Sequence, residues 1–379
     1  MPGKVLHLRC SGGFLGAESV VMELACHSPE FGYEPIICVP YDVGDPVPDL
    51  VSVSKEAGIR TIPLPCRSRL DLSVLKQLAH LVRDDGVDIV HAHGYREDIH
   101  AALAIVGTPL VATNHLWKRS NRTLRLYAWL DRQALRRFDR IVAVSRPILE
   151  EMNTLGLPAH KLVHIANGVD ADRFAAPTPE REASRTRLGL GPESQIIGMV
   201  SSLTAEKGHR FALEALARLR ERFARTRLVV VGDGPELPAL QALAEDLGIA
   251  DRVHFAGRRD DIPALLPALD LFLLPSLTEG LPMAMLEAMA AGIPVIASRV
   301  GDVGSVIEEG RSGITVPPGD VAALSAAMEA LLASPQTLRN TGNAGRARVR
   351  EGFSSAAMAQ SYCELYDGCL REGRRVEEA

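Results

Sequence analysis

The sequence predicts an α/β protein built from two doubly wound domains, and three observations carry that prediction. Short runs such as LVVVG at 228–232 and LFLLP at 271–275 are apolar without alternation, as strands buried on both faces of a parallel sheet are. Segments with helical apolar spacing separate these runs. The pattern also starts twice, breaking after about residue 166 and resuming near Ile196.

Taken in order, the first half should hold strands at 5–9, 35–39, 60–64, 88–92, 110–113, 140–144 and 161–165. The second half should hold strands at 195–200, 227–231, 252–255, 271–274 and 294–297. Helical patterns begin near Ala17 and occupy 72–84, 208–221, 236–247, 282–291 and 320–333. Between the halves lies AAPTPEREASRTRLGLGPES, whose Pro, Gly and charge content reads as a connector. The expected division is a domain at 1–170, a linker at 171–195 and a domain at 196–353. In the tail, Met358, Tyr362, Leu365, Tyr366 and Cys369 share one helical face that must be buried on something. In such sheets ligands bind outside the carboxyl ends of the strands, so a cleft between two facing domains is the expected site.

Composition narrows the function. The 379 residues carry a net charge of −5, which argues against nucleic-acid binding by bulk charge. No apolar run reaches the ~20 residues of a membrane span. The N-terminal MPGKVLHLRC reads as a buried strand, not a signal peptide. Six cysteines without a CxxC pair read as free, mostly buried thiols, which suits the cytoplasm. Only six of the 42 basic residues are lysine, so a lysine inside a glycine-flanked loop stands out.

Three loops could carry chemistry. The first strand runs into SGGFLGAE, where Gly12, Gly13 and Gly16 would let backbone amides approach a phosphate at a helix start. A dinucleotide site or a plain tight turn are both open there. The stretch PSLTEGLPMAMLEAMAAGIPVIAS at 275–298 holds Glu279 ahead of a helix and Glu287 within it. Two helical turns would set them on nearly one face, roughly 12 Å apart. That exceeds the ~5–9.5 Å of a glycosidase carboxylate pair and suits gripping two ends of one polyhydroxylated ligand. A buried helix with a capping Glu is the alternative. Between the two carboxylates, the turn Gly280, Leu281 and Met283 offers amides at a positive helix end. The third loop, MVSSLTAEKGH at 199–209, presents Lys207 beside Gly208, a compact charge that suits a phosphate when it is not simply solvated.

These residues and their order make the chain resemble a retaining GT-B glycosyltransferase of family 4. The E-x7-E stretch is that family's hallmark, and the loop around Lys207 resembles its G-R-L-x3-K-G loop. FDRIVAVS (138–145), HIANGVDADRF (164–174), VGDGPEL (231–237), VHFAGRRDDIPALLPALDLFLLPS (253–276) and VPPGD (316–320) follow the family order. The resemblance implies two Rossmann-like domains, acceptor-binding then donor-binding, with a tail helix at 355–371 crossing back to the first. It implies transfer of a hexose-type sugar, with retention and without a metal, from a UDP-, GDP- or ADP-sugar. The acceptor would be a glycan, a lipid-linked glycan or a small molecule. Glu279 would meet hydroxyls of the donor sugar, Glu287 the ribose, and Lys207 the diphosphate. Gly12, Gly13 and Gly16 would approach that diphosphate, the backbone near Arg258 and Arg259 the base, and His93 the reacting sugar. Two departures stand out. Ser202 replaces a usual Arg, so one cationic diphosphate ligand is missing or is supplied by another residue, Arg299 after the next strand being the candidate chosen, and Ser305 replaces a usual Glu. A catalytically silent sugar-nucleotide binder is the rival reading.

Other features are weaker. Asp170 and Asp172 in an NGVD turn read as turn chemistry, not as a metal-binding DxD. His91 and His93 could share a metal, yet no Cys/His cluster accompanies them in sequence. His115 and Trp117 could line the acceptor side. The segment 117–140 has a net charge of +6 with interleaved aromatics, which fits either an anionic membrane surface or a solvated helix face.

Overall fold

The computed structural model describes residues 2–10, 16–68, 71–115, 122–174, 179–191 and 193–377. It divides into two compact units, residues 1–168 with 355–379, and residues 169–354.

Unit 1 is a seven-stranded parallel sheet in the order β3-β2-β1-β4-β5-β6-β7. Its strands are β1 Gly3–Leu8, β2 Tyr33–Asp42, β3 Arg60–Cys66, β4 Ile89–Ala92, β5 Leu110–Asn114, β6 Arg140–Ala143 and β7 Leu162–His164. Its helices are α1 Gly16–His27, α2 Asp49–Glu56, α3 Leu72–Asp84, α4 Tyr95–Ala104, α5 Arg122–Leu135 and α6 Arg146–Thr154. Alternate residues of one strand enter different cores. Leu6, Leu8, Ile36 and Cys38 join one cluster, and Ile37 and Val39 join another with Val21 and Met22 of α1. Burial on both faces is why these strands read as continuous apolar runs.

Unit 2 repeats the plan in six parallel strands, ordered β10-β9-β8-β11-β12-β13. They are β8 Gln195–Val200, β9 Thr226–Val231, β10 Val253–Gly257, β11 Leu271–Leu274, β12 Val295–Ser298 and β13 Ile314–Val316. Its helices are α7 Pro179–Arg187, α8 His209–Arg218, α9 Leu237–Asp246, α10 Ile262–Leu265, α11 Met283–Ala290, α12 Val303–Val306, α13 Val321–Leu332 and α14 Pro335–Gly352. Where the chain enters and leaves this unit, the Val169 amide donates to the Phe353 carbonyl at 2.9 Å.

The twelve expected strands are present. The sequence reading missed β13, only three residues long, the helices α2, α4, α6, α10 and α12, and α14, whose apolar spacing is diluted by Gly, Asn and Arg. The expected linker at 171–195 is also corrected, because α7 lies inside it and is docked on unit 2. Arg181 donates to the carbonyls of Pro267 and Leu269, at 3.2 and 3.1 Å, and Arg185 to that of Ala268 at 3.2 Å. Asp270 accepts from Arg181, from Arg185 at 2.8 Å and from the Ile196 amide at 2.7 Å. A charge-rich segment therefore reads as a connector in sequence, yet its arginines answer a row of loop carbonyls.

The final helix, α15 Ser355–Glu377, belongs to unit 1. Met358, Tyr362, Tyr366 and Cys369 are buried on it, as the spacing demands, and Cys363 joins them while Leu365 is only half-buried. Tyr33 donates to Asp367 at 2.8 Å, and its ring meets Tyr366 edge-on at 5.3 Å. All six cysteines are free; four are buried, Cys10 is half-buried and Cys26 exposed.

Replacing Asp270 by Ala should strand two arginines and the Ile196 amide. We expect a loss of about 2–4 kcal/mol in urea unfolding, with protease cleavage appearing first in α7.

Candidate functional site

In a doubly wound sheet the connections diverge at one strand pair, and the carboxyl ends of that pair stay uncovered. The pair is β1 and β4 in unit 1, and β8 and β11 in unit 2.

In unit 2 the loops after β8 and β11 bring two of the expected residues together. Lys207 Nζ donates to Glu279 Oε1 at 2.7 Å, and Ser276 Oγ donates to the same oxygen at 2.8 Å. Glu279 is 7% exposed and Lys207 23%, so the pair is sheltered while the ammonium still reaches solvent. The loops are held by backbone. Gly208 has φ +70°, and a Cβ there would stand 2.0 Å from the Pro275 carbonyl oxygen. The Leu277 amide donates to Glu206 O at 2.7 Å. Gly301 has φ +54°, and its Cβ would fall 2.2 Å from Gly280 O. Asp302 N then donates to Gly280 O at 2.9 Å. Burial, with Lys207 as the second cause, pulls His209 down to about 4, so the neighbouring imidazole is neutral and Lys207 is the cation.

Ser202 sits half-buried on the same loop. That loop rests on the glycines of 231–237, where a Cβ on Gly232 or Gly234 would lie 1.9 Å from Ser201 O or 2.4 Å from Leu203 O. Arg259 makes two bonds to Asp261, at 2.9 and 2.7 Å, which hold that carboxyl below its usual range. Arg258 lies 3.9 Å from Asp260 and is half-exposed. Glu287 is half-buried on α11. That helix begins only at Met283, with Pro282 as its cap and no side-chain capping bond. The helical rise therefore does not run from Glu279 to Glu287, and the ~12 Å expectation loses its premise. Leu281 and Met283 have buried side chains, which leaves the backbone as their route to a ligand. Arg299 does not turn toward Lys207. It bonds Thr315 at 3.0 and 2.7 Å and meets Glu309 at 3.4 Å, so the substitute suggested for the missing Arg is already engaged.

In unit 1, Gly12, Gly13 and Trp117 lie outside the described residues, and Gly16 opens α1. His93 follows β4 and is fully buried, with His7 Nδ1 3.2 Å from its Nε2. Its carbonyl accepts from Arg9 at 2.5 Å. Arg9 also pairs with Glu18 at 2.9 Å and Glu97 at 3.5 Å, and Glu97 accepts from the Cys10 amide at 2.7 Å. This charged knot ties the ends of β1 and β4 to the first turns of α1 and α4. His115 stacks 6.0 Å from His93. Sequence reasoning missed His7. The only signal was its place on the first strand, and its meaning depends on register, since His7 pairs with His91 across β1 and β4.

His7, His91 and His93 bring nitrogens within 4.8 Å of one another, a spacing a metal ion could use. His91, however, has both nitrogens bonded to hydroxyls, at 2.7 Å each, so a metal would have to break a formed bond. Asp170 serves its turn, accepting from the amides of Asp172 and Arg173 at 3.0 and 3.3 Å.

Comparison with known proteins places these loops in context. Residues 180–348 match the family model of glycosyl transferases group 1, and residues 15–173 that of Glycosyltransferase Family 4. The chain is 35% identical, over 65% of its length and 67% of the relative's, to a GDP-mannose-dependent alpha-(1-6)-phosphatidylinositol monomannoside mannosyltransferase of Mycolicibacterium smegmatis. It is 29% identical, over 80% of its length and 81% of the relative's, to an N-acetyl-alpha-D-glucosaminyl L-malate synthase of Bacillus anthracis. Among solved structures, HepE of Anabaena in complex with UDP and glucose is similar with a TM-score of 0.86 at 22% identity, covering 97% of this chain and all of that one. The fold is GT-B.

Burial pulls His7 down to about 3. An unfolded imidazole takes a proton below pH ~6.5 and the folded one does not, so stability falls as pH drops through that window. One such group removes about 1.4 kcal/mol at pH 5.5. Glu97 and Asp98, raised mainly by burial, act in the opposite sense. A His7→Gln variant cancels that background, and its loss of stability between pH 7.5 and 5.5 should be about 1.4 kcal/mol smaller than the wild type's. Equal losses in denaturant melts would contradict the buried, neutral imidazole.

Proposed function

Because the chain belongs to the group 1 glycosyltransferases and so transfers sugar from a nucleotide-sugar donor, we propose that the Lys207–Glu279 pair forms the centre of its donor site. The observation that carries this is the sheltered 2.7 Å contact, braced by Ser276, at the switch point of unit 2. Lys207 binds the donor diphosphate and Glu279 the hydroxyls of its sugar. Glu287 holds the ribose, the backbone of Gly280, Leu281 and Met283 the phosphates, and the backbone near Arg258 and Arg259 the base. The family resemblance assigns Gly12, Gly13 and Gly16 to the diphosphate as well, and His93 to the reacting sugar. The donor is a UDP-, GDP- or ADP-hexose, and no metal is required because fixed cations and amides take up the charge.

The reaction breaks the bond from the anomeric carbon to the diphosphate and joins that carbon to an acceptor oxygen. Positive charge grows on the ring and negative charge on the diphosphate, where Lys207 stands. The acceptor attacks the same face through a short-lived ion pair, which retains configuration, and its proton passes to the departing diphosphate. Preorganised charges of this kind are usually the largest catalytic contribution.

The acceptor is a glycan, a lipid-linked glycan or a small molecule, and the enzyme works in the cytoplasm, in envelope or other polysaccharide assembly. The lipid-linked acceptor named for the mycobacterial relative supports this. An anionic membrane surface is the proposed docking partner of residues 117–140. On α5, Leu126 and Trp129 are 55% and 49% exposed, and Arg136 and Arg137 are exposed beyond them. Among the described residues no helix is long and apolar enough to cross a membrane.

Glu279→Gln and Lys207→Ala should each lower transfer by about 100-fold or more while circular dichroism stays that of the wild type. Near-normal turnover in either would remove these roles. A protein that binds donor but neither transfers nor hydrolyses it would be the silent relative that Ser202 suggests. In a thermal-shift screen of UDP-, GDP- and ADP-sugars, the true donor at 100 times its Kd should add about 2.7 kcal/mol. Sedimentation with phosphatidylglycerol vesicles should exceed that with phosphatidylcholine vesicles, and should fall in a Trp129→Ser, Arg136→Ser double variant. Equal sedimentation would end the membrane reading.

A further inference from the structure

The donor reading leaves a gap at the diphosphate. Ser202 stands where the family has an Arg, and Arg299 is engaged with Thr315 and Glu309. The residue before the gap is Ser201, the first beyond β8 at the switch point of unit 2. β8 pairs with β11 through Ile197–Leu271 and Gly198–Phe272. Continuing that register sets Ser201 and Ser202 beside Pro275 and Ser276, where the loop to Glu279 begins. The backbone of Ser201 is held on its other side too. Its amide donates to the Val231 carbonyl at 3.1 Å, and its carbonyl oxygen lies 1.9 Å from where a Cβ on Gly232 would fall. The side chain is half-buried, with Oγ 3.1 Å from His209 Nε2. His209 opens α8, two residues after Lys207, and is only 3% exposed.

The second ring nitrogen decides which atom of this contact donates. Burial, and then the charge of Lys207, keep the His209 imidazole neutral at ordinary pH, so it carries one ring proton. If the serine hydroxyl donated to Nε2, that proton would sit on Nδ1. His209 Nδ1 is buried and has no hydrogen-bond partner among the described residues, so an N–H would be stranded there, and orphaned buried N–H groups are rare. If Nε2–H donates to Oγ instead, every N–H has a partner and Nδ1 keeps only a bare lone pair. The Nε2–H form is also the intrinsically preferred tautomer of a neutral histidine side chain. The Ser201 oxygen is then an acceptor for the ring, and its O–H is left for another group. Among the described residues His209 is the one hydrogen-bond partner of Ser201 Oγ. A half-exposed hydroxyl that already accepts meets a ligand best as a donor. Phosphate oxygens are acceptors, and a bond to one is charge-assisted. Lys207 acts on the same imidazole, so its ammonium lies close by.

We propose that Ser201 is a further diphosphate-binding residue of the donor site: its O–H donates to a phosphate oxygen of the sugar nucleotide, and His209 is the positioning residue that, by donating Nε2–H to Oγ, leaves that O–H for the ligand. This rests on the reading of Lys207 as a diphosphate ligand. The hydroxyl supplies, without a charge, part of the contact that the family draws from its Arg. His209 does not touch the nucleotide; it acts through Ser201.

The test combines titration calorimetry with histidine ring NMR. The probe is whichever of UDP, GDP and ADP binds the wild-type protein most tightly. Its Kd should rise about 10-fold or more in Ser201→Ala, because a hydrogen bond to a charged group is lost. His209→Leu should weaken binding severalfold, and His209→Gln, whose amide can still donate to Oγ, should recover most of it. Adding His209→Leu to Ser201→Ala should cost no further affinity, since His209 acts only through that hydroxyl. In the wild-type protein labelled with 15N-histidine, the His209 signal, assigned by its loss in His209→Gln, should show the proton on Nε2 at pH 7.5. A proton on Nδ1, an unchanged Kd in Ser201→Ala, or losses that add in the double variant would each overturn the proposal. If His209→Leu does not fold, the wild-type tautomer and Ser201→Ala decide alone. Lys207→Ala separates this proposal from the reading it rests on. Weakened binding there, with Ser201→Ala unchanged, removes only the role of Ser201. Unweakened binding in Lys207→Ala, or no binding of any of the three nucleotides by the wild-type protein, removes the donor site and this proposal with it.

Discussion

The doubly wound sheet places one strong constraint on everything else in this protein. Each sheet is covered on both faces, so polar chemistry can collect only where the connections part, at the carboxyl ends of the two strands flanking the switch point. Those strands are β1 and β4 in unit 1, and β8 and β11 in unit 2. Arg9 follows β1, His93 follows β4, Lys207 follows β8 and Glu279 follows β11. Residues more than 70 positions apart, such as Lys207 and Glu279, meet because their strands are neighbours.

The two units use that location in opposite electrostatic ways. Unit 2 keeps a formed ion pair on a frame of close backbone contacts, at Gly208, Gly232, Gly234 and Gly301, where any side chain would strike a carbonyl. A charge held so rigidly needs little reorganisation when an anion develops beside it, which is the physical content of preorganisation. Unit 1 instead surrounds its centre with imidazoles that burial keeps uncharged. Its ionic groups, Arg9, Glu18 and Glu97, pair with one another and tie the neighbouring turns together. A neutral imidazole can donate one hydrogen bond without adding a cation to its surroundings.

The tail helix connects the packing of unit 1 to this centre. Its tyrosines are buried for hydrophobic reasons, and a buried hydroxyl needs a partner. Thr113 and His91 supply those partners. Packing of a terminal helix thereby specifies the orientation of a ring in the sheet.

The sequence by itself determined the class, twelve of the thirteen described strands, the tail helix and its apolar face, and the candidate loops. Each of these is encoded locally, by apolar runs, by spacing, or by glycines beside Lys207 and Glu279, and the family order of the motifs added the expected activity. The tertiary structure alone decided what long-range register and docking control. It brought Lys207 onto Glu279, paired His7 with His91 and turned Arg299 to Thr315 and Glu309. It also docked the supposed linker helix on Asp270. His7 shows the reason. In a list of residues it is one polar position in an apolar strand, and it acquires a partner only when β1 lies beside a strand more than 80 residues later.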